Sequence, residues 1–71
     1  MEIEFVIFKE SVVDFKIYDV SGRLVIDFPD KPYRQGYYSL SWDASEYSSG
    51  VYFINMITED FIDTQKITLI K

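Results

Sequence analysis

The sequence predicts an all-β protein, a small antiparallel sandwich or barrel built from six short strands. Apolar and polar residues alternate along most of the chain, which is the period of a strand with one buried face. No segment keeps the i, i+3, i+4, i+7 spacing of an amphipathic helix for three turns. Turn-forming residues separate the alternating runs at roughly the 8–12-residue spacing of small β-sandwiches.

The first three predicted strands each have one apolar face, and a tight turn joins the second strand to the third. Their inner faces comprise Ile3, Phe5 and Ile7, then Val13, Phe15 and Ile17, then Leu24, Ile26 and Phe28. Between the second and third runs, Gly22 is expected to take a positive φ and close a hairpin over residues 19–22, because glycine has no Cβ to clash there. Pro29 and Pro32 are expected to end the third strand and hold the following loop extended.

The last three strands follow the same logic with one exception. "YYSLSW" places Tyr38, Leu40 and Trp42 on one face, "VYFINMIT" is apolar on both faces, and "TQKITLIK" places Ile67 and Leu69 opposite Ile70. A strand that is apolar on both faces is typical of the centre of a sheet. A sandwich of this type usually has seven strands, so six leave an edge with unpaired backbone groups. We expect that a flanking strand lies outside these residues, or that a partner chain covers the edge, for example in a dimer.

The composition indicates one domain, residues 1–71, and argues against catalysis. A chain of 71 residues has room for one thin core. It contains no cysteine and no histidine, which removes disulfides, thiolate metal sites and the Ser-His pair of a hydrolase. We therefore expect a non-catalytic domain without a cofactor.

The charge balance excludes two classes of partner. Seven basic against 12 acidic residues give a formal net charge of −5, and the basic residues are scattered. Nucleic acid and anionic membrane surfaces both attract clustered Lys and Arg, so neither is an expected partner. No apolar stretch reaches the length of a membrane span, and no leader opens the chain. If the parent protein is exported, its leader is expected outside these residues.

An ordered set of motifs gives the chain a family resemblance. "VVDFKIYDVSGRLV", "GYYSLSWD", "SSGVYF" and "QKITLIK" together resemble the type IX secretion C-terminal sorting domain, type A. The matching positions are Val13 to Tyr18, Asp19, Gly22, Arg23, Val25, Gly36, Trp42, Asp43, Ser49, Gly50, Val51, Tyr52 and residues 65–71. One departure is that the family often begins with a "PNP"-type turn before the first strand, and these residues start after it. A related family is the Ig-like domain of the flagellar hook-capping protein, which usually has a longer glycine-rich connection between "WD" and "GVY".

The resemblance implies a fold, a function and partners. It implies an Ig-like β-sandwich of six to seven strands at the C-terminus of a larger exported protein. Its expected partners are a covalently linked N-terminal passenger, the type IX outer-membrane translocon and a surface sortase. The expected route leads through the periplasm to the cell surface or the extracellular space. The alternative is a structural or adhesive accessory module of an extracellular enzyme, contacting polysaccharide.

Several motif residues admit a structural and a functional interpretation. Gly22 and Arg23 are expected to form a hairpin in which Arg23 pairs with a carboxylate such as Asp19, and a docking arginine is the alternative. Trp42 is in phase with the inner face of its strand, so we expect a core indole, with Asp43 accepting backbone N–H groups in the turn. The alternative is an exposed indole that stacks on sugar.

The remaining loop residues carry weaker signals. The loop acids lack the D-x-D-x-D-G spacing of a calcium loop, so we expect solvated turns. Four aromatic residues in loops or on outer faces are expected to cover the ends of the sandwich, and a binding surface is the alternative. They are Tyr33, Tyr37, Tyr47 and Phe61.

The last strand is the candidate recognition element. Its residues are Lys66, Ile67, Leu69, Ile70 and Lys71. Ile67 and Leu69 are expected to supply core, and the lysines to protect an edge from strand-to-strand aggregation. A cation-flanked edge strand is also a template for strand addition or for a charged receptor, and the family resemblance favours the receptor.

Overall fold

The computed structural model describes residues 1–71, which form six β-strands and no helix. About 66% of the residues lie in strands. The strands are β1 (Glu2–Ile7), β2 (Ser11–Asp19), β3 (Leu24–Tyr33), β4 (Gly36–Ser41), β5 (Gly50–Ile57) and β6 (Ile62–Leu69). The prediction of an all-β chain is confirmed.

The strands form two antiparallel sheets that pack as a small sandwich. One sheet has the order β3-β2-β5-β6, and the other pairs β1 with β4. The doubly apolar strand β5 lies between β2 and β6, as its sequence predicts. The structure contains no helix long and apolar enough to cross a membrane.

The alternating pattern places the predicted inner faces in the core. In β2, Val13, Phe15 and Ile17 are 1%, 3% and 0% exposed. Phe5 of β1 packs on Phe15 across the gap between the sheets, with ring centroids 4.7 Å apart. These contacts join the two sheets, because the burial of apolar area is the main favourable term in a core this thin.

The third strand departs from its prediction at both ends. It continues through Pro29 and Pro32 to Tyr33, although proline cannot donate to a ladder. β3 is an edge strand, and Pro29 lies in a register shift opposite Asp14, where strands tolerate proline. The prediction that the two prolines end the strand is therefore wrong.

A second register shift exposes a residue that alternation places inside. Ile17 pairs with Ile26 and Tyr18 with Leu24, so Val25 is the extra residue of a bulge. Val25 packs against the core instead, and Leu24 is 50% exposed. The prediction for Leu24 is wrong, because the bulge changes the phase of the strand.

The β2–β3 hairpin closes as predicted. Gly22 has φ +85°, and its N–H donates to the carbonyl of Asp19 at 3.1 Å. An added Cβ would meet no atom within 4 Å, so the restriction at this position is conformational and not steric crowding.

The chain repeats one local device at the start of β4 and of β5. In "GYY" and "GVY", the hydroxyl of the last tyrosine donates a hydrogen bond to the backbone carbonyl four residues before it in the sequence. Tyr38 donates to the carbonyl of Arg34, and Tyr52 to that of Ser48, each at 2.7 Å. A tyrosine near the start of a strand that bonds upstream backbone is a hallmark of immunoglobulin-type sandwiches. Each bond fixes the loop before its strand.

Candidate recognition surface

Strand β6 positions the candidate recognition residues at one edge of the four-stranded sheet. It pairs with β5 alone, so its other side carries no backbone partner. It begins at Ile62, two residues before the predicted start, because it pairs with the full length of β5. The prediction of a C-terminal edge strand is confirmed.

Three of the five candidate residues lie in β6, and Ile70 and Lys71 follow its last residue, Leu69. Leu69 is buried and Ile67 half-buried, and both pack in the core. Lys66 and Lys71 are exposed, and Ile70 is 84% exposed. These last three are the candidate residues that a partner can reach.

The two lysines differ in their surroundings. Lys66 lies opposite Phe53 of β5, and its ammonium forms no hydrogen bond or ion pair. The ammonium of Lys71 donates to the carbonyl of Ser45 at 2.7 Å, and its backbone N–H donates to Oγ of Ser49 at 3.0 Å. Lys71 therefore ties the end of β6 to the loop before β5, while Lys66 is free to meet an anionic group.

The hairpin at the opposite side of the sheet is organised by a carboxylate. Oδ1 of Asp19 accepts hydrogen bonds from the backbone N–H and the hydroxyl of Ser21, at 2.9 and 2.6 Å, and from the N–H of Arg23 at 3.0 Å. The Ser21 hydroxyl, and then the Arg23 amide, hold the pKa of Asp19 below its ordinary value. The expected ion pair between Asp19 and Arg23 does not form, since the contact uses the backbone of Arg23 and not its guanidinium. The exposed guanidinium is left without a carboxylate partner.

Trp42 and Asp43 occupy the positions expected of structural residues. Trp42 is 1% exposed and packs between Tyr47 and Tyr52, each at a centroid distance of 5.4 Å. Asp43 accepts a hydrogen bond from the N–H of Ser45 at 3.1 Å, which lowers the pKa of its carboxyl. An indole this deeply buried cannot stack on a sugar. The indole N–H has no hydrogen-bond partner.

The four aromatic residues predicted in loops or on outer faces divide between the two interpretations, and Tyr33 and Tyr37 lie in strands β3 and β4. Tyr33 joins the cluster of Phe5 and Phe15, and Tyr47 covers Trp42. Tyr37 and Phe61 remain 88% and 51% exposed. The first pair covers the ends of the core, and the second pair is open to solvent.

A charge cluster on the outer face of the four-stranded sheet was not foreseen from the sequence. The ammonium of Lys16 lies 3.6 Å from Oδ2 of Asp14 and 3.3 Å from Oδ2 of Asp27. Burial, and then the neighbouring Asp27, raise the pKa of Asp14, whose Oδ1 has no hydrogen-bond partner. The hydrogen bond to Asp27 raises the pKa of Lys16. No three carboxylates converge as they would around a metal ion.

Comparison with known proteins gives one match. The family model described as "Secretion system C-terminal sorting domain" matches residues 1–71. Neither the curated proteins nor the solved structures give a match. The type A assignment and the relation to the hook-capping protein stay predictions.

Proposed function

The chain belongs to the secretion system C-terminal sorting domain family, and from that premise we propose that it directs an attached passenger protein through the type IX secretion system. Sorting signals of this family imply export to the cell surface or the extracellular space. The proposed partners are the outer-membrane translocon, a surface sortase and a passenger linked ahead of Met1. The proposed route passes through the periplasm.

The observation that carries this proposal is the exposed outer side of β6. Lys66 on β6, and Ile70 and Lys71 just beyond its end, are exposed, while Ile67 and Leu69 of the strand are anchored in the core. A receptor can therefore read two cations and one aliphatic side chain without unfolding the domain. Cations at the rim of such a contact accelerate association with an acidic receptor more than they add affinity.

We propose that the domain itself performs no reaction. The chain offers no histidine or cysteine, and two of its carboxylates, those of Asp19 and Asp43, accept hydrogen bonds that brace turns. Ionised carboxylates held by backbone donors are poor bases, because the hydrogen bonds favour the charged form.

An accessory module that contacts polysaccharide is the alternative function. The strongest sequence feature in its favour was an exposed Trp42 that could stack on a sugar, and the burial of the indole rules out that contact. The exposed ring of Tyr37 is the remaining aromatic candidate for such a contact.

A secretion assay separates the two functions. A fluorescent passenger is fused ahead of Met1 and expressed in a host with a working type IX system and in a matched host without the translocon. The sorting function predicts surface or extracellular fluorescence in the first host and periplasmic retention in the second. Retention of the folded fusion in both hosts would overturn the sorting function, and binding of the isolated domain to polysaccharide would then favour the accessory module.

A further inference from the structure

An open groove of about 500 Å³ lies between β1 and the β5–β6 side of the larger sheet. Its floor is apolar and includes Phe15, Ile54 and Met56. Two aromatic side chains that also line it, Phe8 and Phe61, are 83% and 51% exposed. The groove is the part of the sandwich where the two-stranded sheet fails to cover the four-stranded one.

The backbone of β1 presents unpaired groups along this groove. Met1 and Trp42 exchange two hydrogen bonds, from each N to the carbonyl of the other, at 2.9 and 2.8 Å. Bonded and non-bonded pairs alternate in an antiparallel ladder, so the bonds to β4 recur at Ile3, Phe5 and Ile7. The N–H and C=O groups of Glu2, Glu4 and Val6 consequently point away from β4, toward the open edge.

This edge favours a strand over a compact small molecule. The volume alone fits either, since small-molecule pockets span about 300–1,000 Å³. A row of free backbone donors and acceptors beside an apolar floor is instead the arrangement used for β-strand addition, in which the backbone supplies affinity and alternate side chains fill the pockets. The inward-facing side chains of β6 change from apolar to polar where the groove begins. Ile67 and Leu69 face the covered core, whereas Asp63 and Gln65 line the groove.

The charges of the groove define the side chains of the strand that fits. Three acids, Glu4, Asp60 and Asp63, line it against one base, Lys9. A strand beside β1 would place every second side chain on the outer face next to Glu4, where a basic residue forms a favourable cross-strand pair. The intervening side chains would point to Ile54 and Met56 and must be apolar.

A second copy of this chain fits the edge poorly. Two β1 strands paired about a twofold axis at Glu4 would place the Glu4 side chain of one copy directly opposite that of the other. Like charges directly opposite are destabilising in a sheet, and the chain already carries a net charge of −5.

From these observations we propose that the groove is a docking site for an extended polypeptide segment with alternating apolar and basic side chains, which adds to β1 as a third strand of the smaller sheet. This site is separate from the outer face of β6 and stands independently of the sorting function. Filling it buries Phe8 and Phe61 and completes the cover over Ile54 and Met56.

The test uses a synthetic heptapeptide of alternating lysine and valine and a scrambled peptide with all lysines in one block. The two have the same charge, so attraction to an acidic protein affects both equally. Amide hydrogen exchange measured by NMR on the 71-residue chain should slow at Glu4 and Val6 with the alternating peptide only. Equal protection by both peptides, no protection by either, or a dimer in sedimentation without peptide would overturn the proposal.

Two matched proline variants locate the strand. Val6→Pro removes an N–H that points to the groove, whereas Ser39→Pro removes one that points from the far edge of β4. The first should weaken the alternating peptide at least about fivefold, since an edge hydrogen bond contributes about 1 kcal/mol, and the second should leave binding unchanged. If Val6→Pro does not fold, Glu4→Lys takes its place. This variant should reverse the preference toward a peptide of alternating glutamate and valine, and an unchanged preference would contradict the proposed register.

Discussion

The ring of Tyr52 meets the indole of Trp42 edge-on, with centroids 5.4 Å apart and an interplanar angle of 75°. Edge-to-face pairs of this kind contribute beyond the area that they bury. The pair joins β5 to the end of β4, which belong to different sheets. Two residues of the family motif therefore form one packing unit that connects the two layers.

Trp42→Ala should lower the free energy of unfolding by about 3–5 kcal/mol, the usual cost of removing a buried large aromatic side chain. The free energy of unfolding of a small domain is only a few kcal/mol, so most of the variant population should be unfolded. Chemical denaturation followed by circular dichroism measures the change. Trp42→Phe is the control: it keeps an aromatic ring and removes an indole N–H that has no partner, so it should cost clearly less. Equal losses for both variants would contradict the packing argument.

Tyr52→Phe should destabilise the domain by about 1 kcal/mol, the net value of one hydrogen bond, because it removes only the bond to the Ser48 carbonyl. Tyr37→Phe is the matched control, since its ring is 88% exposed and its hydroxyl donates to no protein group. The difference between the urea unfolding midpoints of the two variants isolates the contribution of the hydrogen bond from Tyr52 to the Ser48 carbonyl. No difference between them would show that this bond does not fix the loop.

These residues show how far the sequence determines the fold. Trp42 and the inner face of β2 were predictable because the alternation of apolar and polar residues is a local pattern. Leu24 was not, since its exposure depends on a bulge at Val25 that only the pairing with β2 reveals. The extension of β3 through Pro32 likewise depends on its position at the sheet edge.

The candidate sites divide in the same way. The exposure of Lys66 follows from the strand period, but the bond from Lys71 to Ser45 joins residues 26 apart in sequence. Lys16 and Asp14 share a face of β2 by the strand period, but the contact of Lys16 with Asp27 depends on the register between β2 and β3. The groove beside β1 depends on which strands are neighbours, and the exposed Phe8 just beyond β1 is its one local signal.

Asp19→Asn should lower the melting temperature at pH 7, and the difference from the parent chain should close in acid. The hydrogen bonds from Ser21 and Arg23 depress the pKa of Asp19 in the folded state. A depressed pKa contributes stability that is complete above the unfolded value and is lost as the pH falls through the folded value. Asparagine keeps an acceptor oxygen for the turn, so the variant removes mainly the charge. Melting curves between pH 2 and 7, with Asp30→Asn as the control, measure the effect, and a difference that persists at low pH would assign it to turn geometry.

Replacing Lys66 with Gln should reduce export of a fused passenger while leaving the domain folded. Its ammonium forms no hydrogen bond or ion pair, and exposed charges contribute less than about 1 kcal/mol to stability. Lys71→Gln is expected to reduce export too, but it also removes the bond to the Ser45 carbonyl, so its effect combines recognition with anchoring of the loop. The readout is the fraction of passenger at the cell surface, with thermal melting of each purified variant.

The control for Lys66→Gln is Lys31→Gln on β3, the opposite edge of the same sheet. Both variants remove one positive charge, so a nonspecific effect of charge would reduce the export of both by the same amount. Recognition of the β6 edge requires that Lys66→Gln export less than Lys31→Gln at equal melting temperature. If the two export equally, the translocon does not read this cation, and Ile70, 84% exposed just beyond the end of β6, becomes the next residue to change.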